Sequence, residues 1–277
     1  MFEKFARSWE LVKASAAVLR SDKHLMLFPV ISSLATLVVL ATFLIPMFAL
    51  RIFAEGFGVG AVVFGFLFYF FQYSVIIFFN CALVGAATIR LEGGRPTLSD
   101  GINAAKSRLP AILGYAAISA TVGVILQSLK DRDNNFLVRL LGSGLGVAWT
   151  LATFLVVPVL VSRDIGPIDA LKESARLLKR TWGENAIGTV GIGAAFGLIT
   201  AVVAVVGVGL AFLAAQVSIP LAIAVGVVFV LGLLLMAVYQ AALSGIYSAA
   251  LYRYAMSHET PAAFRGTDLE HAFVPKA

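Results

Sequence analysis

The chain has 277 residues, of which 60% are hydrophobic and only 13% are charged. A soluble globular chain has about 45–50% apolar and about 25% charged residues, so the composition excludes an ordinary soluble enzyme. Disorder is excluded as well, because disordered chains are poor in large apolar residues and this chain has 21 phenylalanines. The composition therefore indicates an integral membrane protein.

Long apolar runs without Asp, Glu, Lys, Arg or His predict the membrane spans. A span needs about 20 apolar residues, so four runs predict one helix each: 25–50, 57–89, 109–129 and 140–162. The last run is far too long for one helix and is expected to break at Pro220, because proline ends a helix and is tolerated in the first turn of the next. Two helices are predicted there, 186–215 and 220–252, which gives six spans.

Three amphipathic segments, 2–21, 97–108 and 167–182, each precede a pair of predicted spans. In the first segment, helical spacing places on one face the apolar residues Phe2, Phe5, Trp9, Val12, Ala16 and Leu19. In the third segment, the apolar face carries Ile168, Leu171, Ala175, Leu178 and Trp182. Such helices lie in the plane of the membrane interface, although packing on neighbouring helices is the alternative. The predicted fold is all-α and integral to the membrane, with six transmembrane helices in three pseudo-repeats, each an amphipathic interfacial helix followed by a transmembrane hairpin.

Capping residues and aromatic residues mark the ends of these surface helices. Thr97 followed by Asp100 three residues later is a capping-box pattern that predicts a helix start. Pro167 suits the first turn of the third amphipathic helix. Trp9 and Trp182 are predicted to be interfacial anchors, because tryptophan is enriched at the membrane–water boundary.

The distribution of Lys and Arg predicts the orientation in the membrane. Seventeen of the 21 basic residues lie on the N-terminal segment, the segments 90–108 and 163–183, and the C-terminal segment. We therefore expect a single membrane domain, 1–257, and a cytoplasmic tail, 258–277, in a bacterial inner membrane with both termini cytoplasmic. The expected partners are the lipid bilayer, with anionic lipids at the cytoplasmic face, and a second copy or another membrane protein. Nucleic acid is not an expected partner, because no basic stripe carries interleaved aromatic residues.

The sequence does not predict an enzyme. Proton relays and ion-coupled transport sites use buried ionisable side chains, and none of Asp, Glu, Lys, Arg or His lies in a predicted span. The three histidines, His24, His258 and His271, are scattered at the predicted cytoplasmic edges and form no metal-ligand set. Cys81 is expected to be a small packing residue. We therefore predict no catalytic residue, no metal site and no cofactor.

Uncharged polar residues within the spans are the remaining candidates for a functional site. They are Gln72, Asn80, Gln240, Ser244, Tyr247 and Ser248, of which the last four share one helical face. One interpretation is interhelical contact, because an amide in hydrocarbon requires a partner. The other is the polar lining of a narrow, uncharged permeation path.

Glycine pairs four residues apart predict sites of close helix packing. Gly142 with Gly146, and Gly193 with Gly197, fit the spacing of small residues at membrane helix interfaces. The partner helix lies either in the same chain or in a second copy.

The C-terminal tail carries apolar residues in a polar stretch, namely Phe264, Leu269 and Phe273. Leu269 and Phe273 are one helical turn apart, which favours a short docking helix for a partner. The alternative is a tail that folds back on its own cytoplasmic helices.

Three short motifs carry a resemblance to known proteins: Arg7–Ser8–Trp9, the stretch from Lys179 to Asn185, and the ending from Leu269 to Phe273. With these motifs the whole chain resembles an uncharacterised family of bacterial six-span membrane proteins, a domain of unknown function. The layout also resembles, more distantly, the non-catalytic membrane domain of some glycerophosphodiester phosphodiesterases. Neither resemblance implies an activity or a functional residue.

The functional hypothesis is a multi-pass inner-membrane protein without catalytic chemistry, which acts as a membrane scaffold or accessory protein through homo-oligomer or partner contacts. One alternative is an oligomeric pore or facilitator for a small uncharged or weakly selected solute. A further alternative is a lipid-binding membrane protein.

Overall fold

The structure is a computed structural model that describes residues 2–49, 59–131, 136–182, 187–257 and 260–265. The described residues form two short 3-10 turns, Lys23–Met26 and Ala262–Phe264, and the helices α1 (Phe2–Ser21), α2 (Leu27–Ala49), α3 (Val59–Leu91), α4 (Leu98–Lys106), α5 (Leu109–Asp131), α6 (Phe136–Thr153), α7 (Val156–Ser162), α8 (Pro167–Trp182), α9 (Ile187–Val217) and α10 (Ile219–Ser257). Within these ranges, six stretches are long and apolar enough to cross a membrane, which confirms the predicted number of spans: Lys23–Phe48, Val59–Leu91, Leu109–Leu126, Gly144–Ser162, Ile199–Val217 and Ile219–Ser257.

The longest apolar run divides where the proline predicts. Helix α9 ends at Val217 and α10 begins at Ile219. The hydroxyl oxygen of Ser218 accepts a hydrogen bond from the Leu221 backbone N–H, with an N–O distance of 3.3 Å. Pro220 lies in the first turn of α10, where its missing N–H removes no helical hydrogen bond.

The predicted fourth span, 140–162, is not one continuous helix, which corrects the expectation. Helix α6 ends at Thr153 and α7 begins at Val156. The cause is Pro158, which cannot donate to the carbonyl group of Phe154 and whose ring clashes with that carbonyl in a regular helix. The span therefore bends about four residues before its proline.

A serine on the amphipathic helix α8 satisfies the polar groups that this break leaves open. Ser174 is fully buried, and its hydroxyl group donates to the carbonyl oxygen of Ala152 at 2.7 Å. The same hydroxyl oxygen accepts from the backbone N–H of Leu155 at 3.1 Å. One side chain thus replaces a helical hydrogen bond and fixes α8 to the bend.

Helix contacts place the three amphipathic helices at one end of the bundle, which we call the basal end. Helices α2 and α3 are antiparallel, with the ring of Phe43 5.3 Å from that of Phe64, while Phe28 lies at the opposite end of α2 beside Gly101 of α4. Helix α1 packs on α9 and α10, α4 packs on α3, and α8 packs on α5, α6 and α7. The arrangement puts α1, α4 and α8 at the end where α3, α7 and α10 finish.

The protein core lies near the basal end. Seven consecutive residues of α3, from Cys81 to Ala87, are all buried, as are most residues of α10 between Val238 and Tyr252. By contrast, Gly207 and Ala214 are the only buried residues between positions 199 and 237. The far ends of α9 and α10 therefore pack on each other and leave most of their surface open.

Two helices are much longer than a membrane crossing requires. At 1.5 Å per residue, the 33 residues of α3 span about 50 Å and the 39 residues of α10 about 58 Å. The hydrocarbon layer is about 30 Å thick. Both helices are therefore longer than this layer is thick, and each is continuous over its whole length.

The amphipathic helices use their apolar faces differently. On α1, Val12, Ala16 and Leu19 are buried as their spacing predicts. On α8 the expected face is rotated, because Ile168 is 58% exposed whereas Ala170 is fully buried. The rotation follows from Ser174, which must face the α6–α7 bend. It leaves part of the apolar surface of α8 uncovered by protein.

The capping box predicted for the second amphipathic helix is confirmed. The Asp100 N–H donates to the Thr97 hydroxyl oxygen at 3.2 Å, and the Thr97 N–H donates to the Asp100 carboxylate at 2.8 Å. The helix itself runs over Leu98–Lys106, slightly shorter than the predicted 97–108. These hydrogen bonds hold the pKa of Asp100 below its ordinary value.

Replacing Ser174 should destabilise the fold. Ser174→Ala leaves the N–H of Leu155 and the carbonyl of Ala152 buried without their hydroxyl partner, which costs about 1–3 kcal/mol. Thermal unfolding in detergent measures the loss, read from a thiol-reactive dye because the single cysteine, Cys81, is buried until the protein unfolds. Thr121→Ala is the control, since that exposed hydroxyl bonds only within its own helix. Equal melting temperatures for the two variants would contradict the role of Ser174.

Acid should remove the contribution of the capping box. Because the pKa of Asp100 is lowered in the folded state, its stabilising effect is complete above the unfolded value of about 3.9 and is lost as the pH falls through the folded value. Asp100→Asn should therefore be less stable than the wild type at pH 7, with a difference that shrinks towards pH 3. Circular dichroism of thermal unfolding across this range tests it, with Glu10→Gln as the charge control. A difference that stays constant with pH would contradict the assignment.

Candidate functional site: a polar layer and an open helical arm

The hydroxyl groups within the spans mostly bond to their own helices. Ser248 donates to the carbonyl oxygen of Gly245 at 2.9 Å, Ser74 to that of Phe70 at 2.7 Å, and Thr88 to that of Val84 at 2.9 Å. Such bonds are the usual way in which a hydroxyl is satisfied within a helix. Ser248 is therefore a buried core residue whose hydroxyl group is satisfied within its own helix. Ser244, one turn earlier, is half-buried.

The three amide side chains lie at intermediate depth between protein and surroundings. Gln72, Asn80 and Gln240 are all half-buried. The carbonyl oxygen of the Gln72 side chain is covered and has no hydrogen-bond partner among the described residues. Gly245 of α10 lies against Leu83 of α3, and at 1.5 Å per residue Asn80 is about 4.5 Å and Gln240 about 7.5 Å from that contact along their helices. The two amides therefore belong to one layer of the bundle.

An additional polar cluster, which the sequence analysis missed, lies beside this layer. The buried phenol of Tyr115 on α5 lies near the hydroxyl groups of Ser119 and Thr153. Next to Thr153, the ring of Phe154 lies 6.2 Å from that of Tyr247 on α10. The signal available in the sequence was the spacing of Tyr115 and Ser119, one helical turn apart in a predicted span. The cluster joins α5, the α6–α7 bend and α10.

No metal site or nucleophilic centre emerges from this region. Within the described ranges, no three His, Cys, Asp or Glu residues come close enough to hold a metal ion. Cys81 is fully buried in the core.

Ion pairs surround the basal end of the bundle. Arg163 pairs with Glu173 at 3.1 Å, and so links the end of α7 to α8. The further contacts are Arg108 with Asp164, Arg176 with Glu173 at 2.8 Å, Arg253 with Glu92 at 3.8 Å, and Arg90 with the Ser21 hydroxyl at 3.1 Å. The arginines that the sequence assigned only to membrane orientation therefore also connect the segments at this end.

The most open surface of the described chain is an arm formed by residues 199–237, the far parts of α9 and α10. The two helices meet where Gly207 faces Phe229, close enough that a β-carbon on Gly207 would lie 2.6 Å from the ring. The arm contains no Asp, Glu, Lys, Arg or His. Its exposed large apolar residues include Val205, Val208, Phe212, Ile223 and Val228. This surface fits lipid or another membrane helix.

The glycines that permit close helix approach differ from the predicted pairs. Gly146 and Gly197 have open space where a β-carbon would be, and the surroundings of Gly142 and Gly193 lie outside the described residues. Close approaches between helices occur instead at Gly85, Gly101, Gly114, Gly207 and Gly245. None of these five has a glycine four residues away, so a rule restricted to glycine pairs does not find them. Alanine completes the spacing of small residues at Gly101, Gly207 and Gly245.

The predicted anchors and tail are described only in part. The side chains of Trp9 and Trp182 lie outside the described residues, as do Leu269 and Phe273. Phe264 is fully buried in the 3-10 turn Ala262–Phe264, which packs on α1. This part of the tail therefore folds back onto the protein's own helices.

The described residues define an all-helical membrane protein with six helices that are long and apolar enough to span a bilayer. The chain belongs to a family of unknown function, DUF6159, whose members match it over residues 58–262. Membership of an uncharacterised family is thereby confirmed. Comparison with curated proteins and with solved structures finds no match.

Replacing glycine by alanine should have opposite effects at a packed and at an open position of α10. Gly245→Ala places a β-carbon 3.0 Å from Cγ of the fully buried Leu83, and overpacking of this kind costs about 1–3 kcal/mol. Gly232→Ala, on the same helix with open space around it, should instead gain up to about 1 kcal/mol from helix propensity. Thiol-dye unfolding of the two variants compares them. Equal stability would show that α3 and α10 do not meet as described.

Proposed function

We propose that the protein is a membrane scaffold or accessory protein without catalytic chemistry, and that the arm of residues 199–237 binds a second copy or a partner membrane protein. The observation that carries the proposal is the arm itself. It is uncharged, and only Gly207 and Ala214 are buried in it. A segment of this kind has most of its contact surface still available.

The shape of α9 supports association rather than lipid contact alone. Between membrane helices, close approach at small residues drives binding, because lipid is as apolar as the side chains. Gly197, Ala201, Val208 and Ala215 are exposed and share one face of α9. That face lies about 100° around the helix from the Gly207 contact with α10. A narrow, open face of small residues fits another helix.

The open space at Gly197 also favours a partner outside the chain. The spacing of Gly193 and Gly197 predicts a close helix contact, and no described neighbour lies within 4 Å of the β-carbon position of Gly197. A second copy of the protein supplies the simplest partner, because the same face is present on both molecules.

The proposed orientation places the basal end in the cytoplasm. Seventeen of the 21 Lys and Arg residues belong to segments that lead to this end or lie in it, as expected for cytoplasmic loops. The proposal includes both termini on that side, a bacterial inner membrane, and three repeated units of surface helix plus hairpin.

Permeation through a polar path is less well supported as a second function. The hydroxyls of Ser74, Thr88 and Ser248 bond within their own helices, so their positions are explained by helix bonding. The unpaired Gln72 oxygen is a single group at the level of the spans. The pore or facilitator hypothesis remains a prediction from the sequence.

Site-specific crosslinking in native membranes tests the scaffold. In a Cys81→Ala background, Val208→Cys on the arm should yield a crosslinked homodimer with a short thiol-reactive reagent, because the open face of α9 meets its copy. The matched control is Ile45→Cys on α2. Both original side chains are 71% exposed, so reagent access is comparable. We expect at least a severalfold higher yield of adduct at Val208.

The size of the adduct distinguishes the two forms of the proposal. A product of twice the protein's mass indicates a second copy, and a discrete product of another mass indicates a partner membrane protein. Equal yields from Val208→Cys and Ile45→Cys, or no adduct from Val208→Cys, would overturn the role of the arm.

A further inference from the structure

We propose that an anionic phospholipid binds at the junction of α5 and α8, with its acyl chain on an exposed apolar patch and its phosphate at Arg108 and Lys172. This site lies at the basal end, away from the arm of residues 199–237, and does not depend on the scaffold proposal. The site combines the packing of two helices, three exposed apolar residues and two cations that are paired with exposed carboxylates.

The beginning of α8 packs directly against the second turn of α5. A β-carbon on Gly114 would lie 2.8 Å from the ring of Pro167, so the two helices approach with no side chain between them. Leu113 precedes Gly114, and Ile168 follows Pro167. The chain neighbours of this contact therefore lie close to the junction.

An apolar patch is open at this junction. Leu109 is 41% exposed, Leu113 is 38% exposed and Ile168 is 58% exposed. The rotation of α8 that buries Ser174 leaves Ile168 uncovered. Because α8 is an amphipathic helix at the end of the spans, this patch lies where acyl chains meet headgroups. At this depth, a lipid acyl chain is the apolar group available to cover the patch.

Arg108 places a partly exposed cation beside the patch. It immediately precedes Leu109, and its ion pair is with Asp164, whose side chain is 95% exposed. Its Nε is buried and has no hydrogen-bond acceptor among the described residues, so a headgroup contacts the terminal NH groups of this side chain, which is 22% exposed. An exposed ion pair contributes little, whereas a phosphate oxygen accepts strong, charge-assisted hydrogen bonds from a guanidinium group. A phosphodiester can therefore share or take over the pairing of Asp164.

Lys172 supplies a second cation on the same side of α8. It lies one helical turn after Ile168, and its ammonium is 3.5 Å from Asp169, with both side chains mostly exposed. The next acid on the helix, Glu173, is already paired with Arg163 and Arg176. Both cations near the patch are thus opposed by exposed carboxylates, and Lys172 is mostly exposed to an anionic headgroup whereas Arg108 is partly exposed.

The apolar patch decides between a lipid and a free anion. Inorganic phosphate offers the same oxygens to Arg108 and Lys172 but gains nothing from Leu113 and Ile168. A phospholipid engages both parts, and a negative net charge favours it over a zwitterionic one. The proposal therefore commits to a phospholipid with an anionic headgroup, such as phosphatidylglycerol.

Lipid titration of the whole purified protein in detergent tests the site. Dioleoyl phosphatidylglycerol should raise the melting temperature read from Cys81, and native mass spectrometry should show the bound lipid. Arg108→Gln combined with Lys172→Gln should weaken binding about thirtyfold, since each basic residue near the surface contributes about a fivefold factor. Asp164→Asn should strengthen binding, because it removes the competing carboxylate.

Matched controls separate the site from general surface charge. The variant Lys13→Gln combined with Arg20→Gln changes the net charge by the same amount at exposed residues of α1. Because α1 packs on α9 and α10, this variant should leave lipid binding unchanged. Leu113→Ser combined with Ile168→Ser should lose the lipid effect with the cations intact. Lys172→Gln alone, at an exposed position, remains informative if the Arg108 variant unfolds without lipid.

Three results would overturn the inference. One is an equal stabilisation by dioleoyl phosphatidylcholine, which would remove the role of charge. Another is an equal stabilisation by inorganic phosphate alone, which would remove the acyl chain. The third is an equal loss of binding in the α1 control variant, which would make the effect one of net charge.

Discussion

The arrangement of the described bundle depends on a fully buried stretch of helix, Cys81–Ala87 of α3, which is matched by an equally long buried stretch of α10, residues 246–252. Buried on every side, it requires neighbours all around it, and glycine provides the space. Gly85 within the stretch faces Ala104 of α4, and Gly245 lets α10 come against Leu83. In a membrane, van der Waals packing of this kind replaces the hydrophobic driving force. The core therefore forms where α3 is narrowest.

This concentration of packing at the basal end divides the molecule into two parts. Around the core, the ion pairs of Arg163 and Arg108 and the hydroxyl of Ser174 connect surface helices to spans. Towards the other end, α9 and α10 contact each other and present exposed residues outward. The proposed scaffold function depends on the exposed arm of residues 199–237. The proposed lipid site depends on the exposed apolar patch at the junction of α5 and α8.

Much of the fold was predictable, because composition and proline have local effects. The six spans, the division near Pro220 and the capping box of Thr97 with Asp100 each depend on residues close in sequence. The bend before Pro158 was missed, since proline within a span is often tolerated and its partner, Ser174, lies on another helix. The face of α8 and the glycines in contact depend on tertiary neighbours, which spacing alone does not reveal. The polar layer was found in part, through its amides, and Tyr115 was not.

The lengths of α3 and α10 have a consequence for bilayers of different thickness. The connection at Ser218 between α9 and α10 carries no charged residue, whereas the segment between α2 and α3, which leads to the same end, carries Arg51 and Glu55. In a bilayer, a change of thickness is therefore met most easily at the connection of α9 and α10, because covering or uncovering a helical turn there moves no charge into hydrocarbon. The start of α3 lacks this freedom.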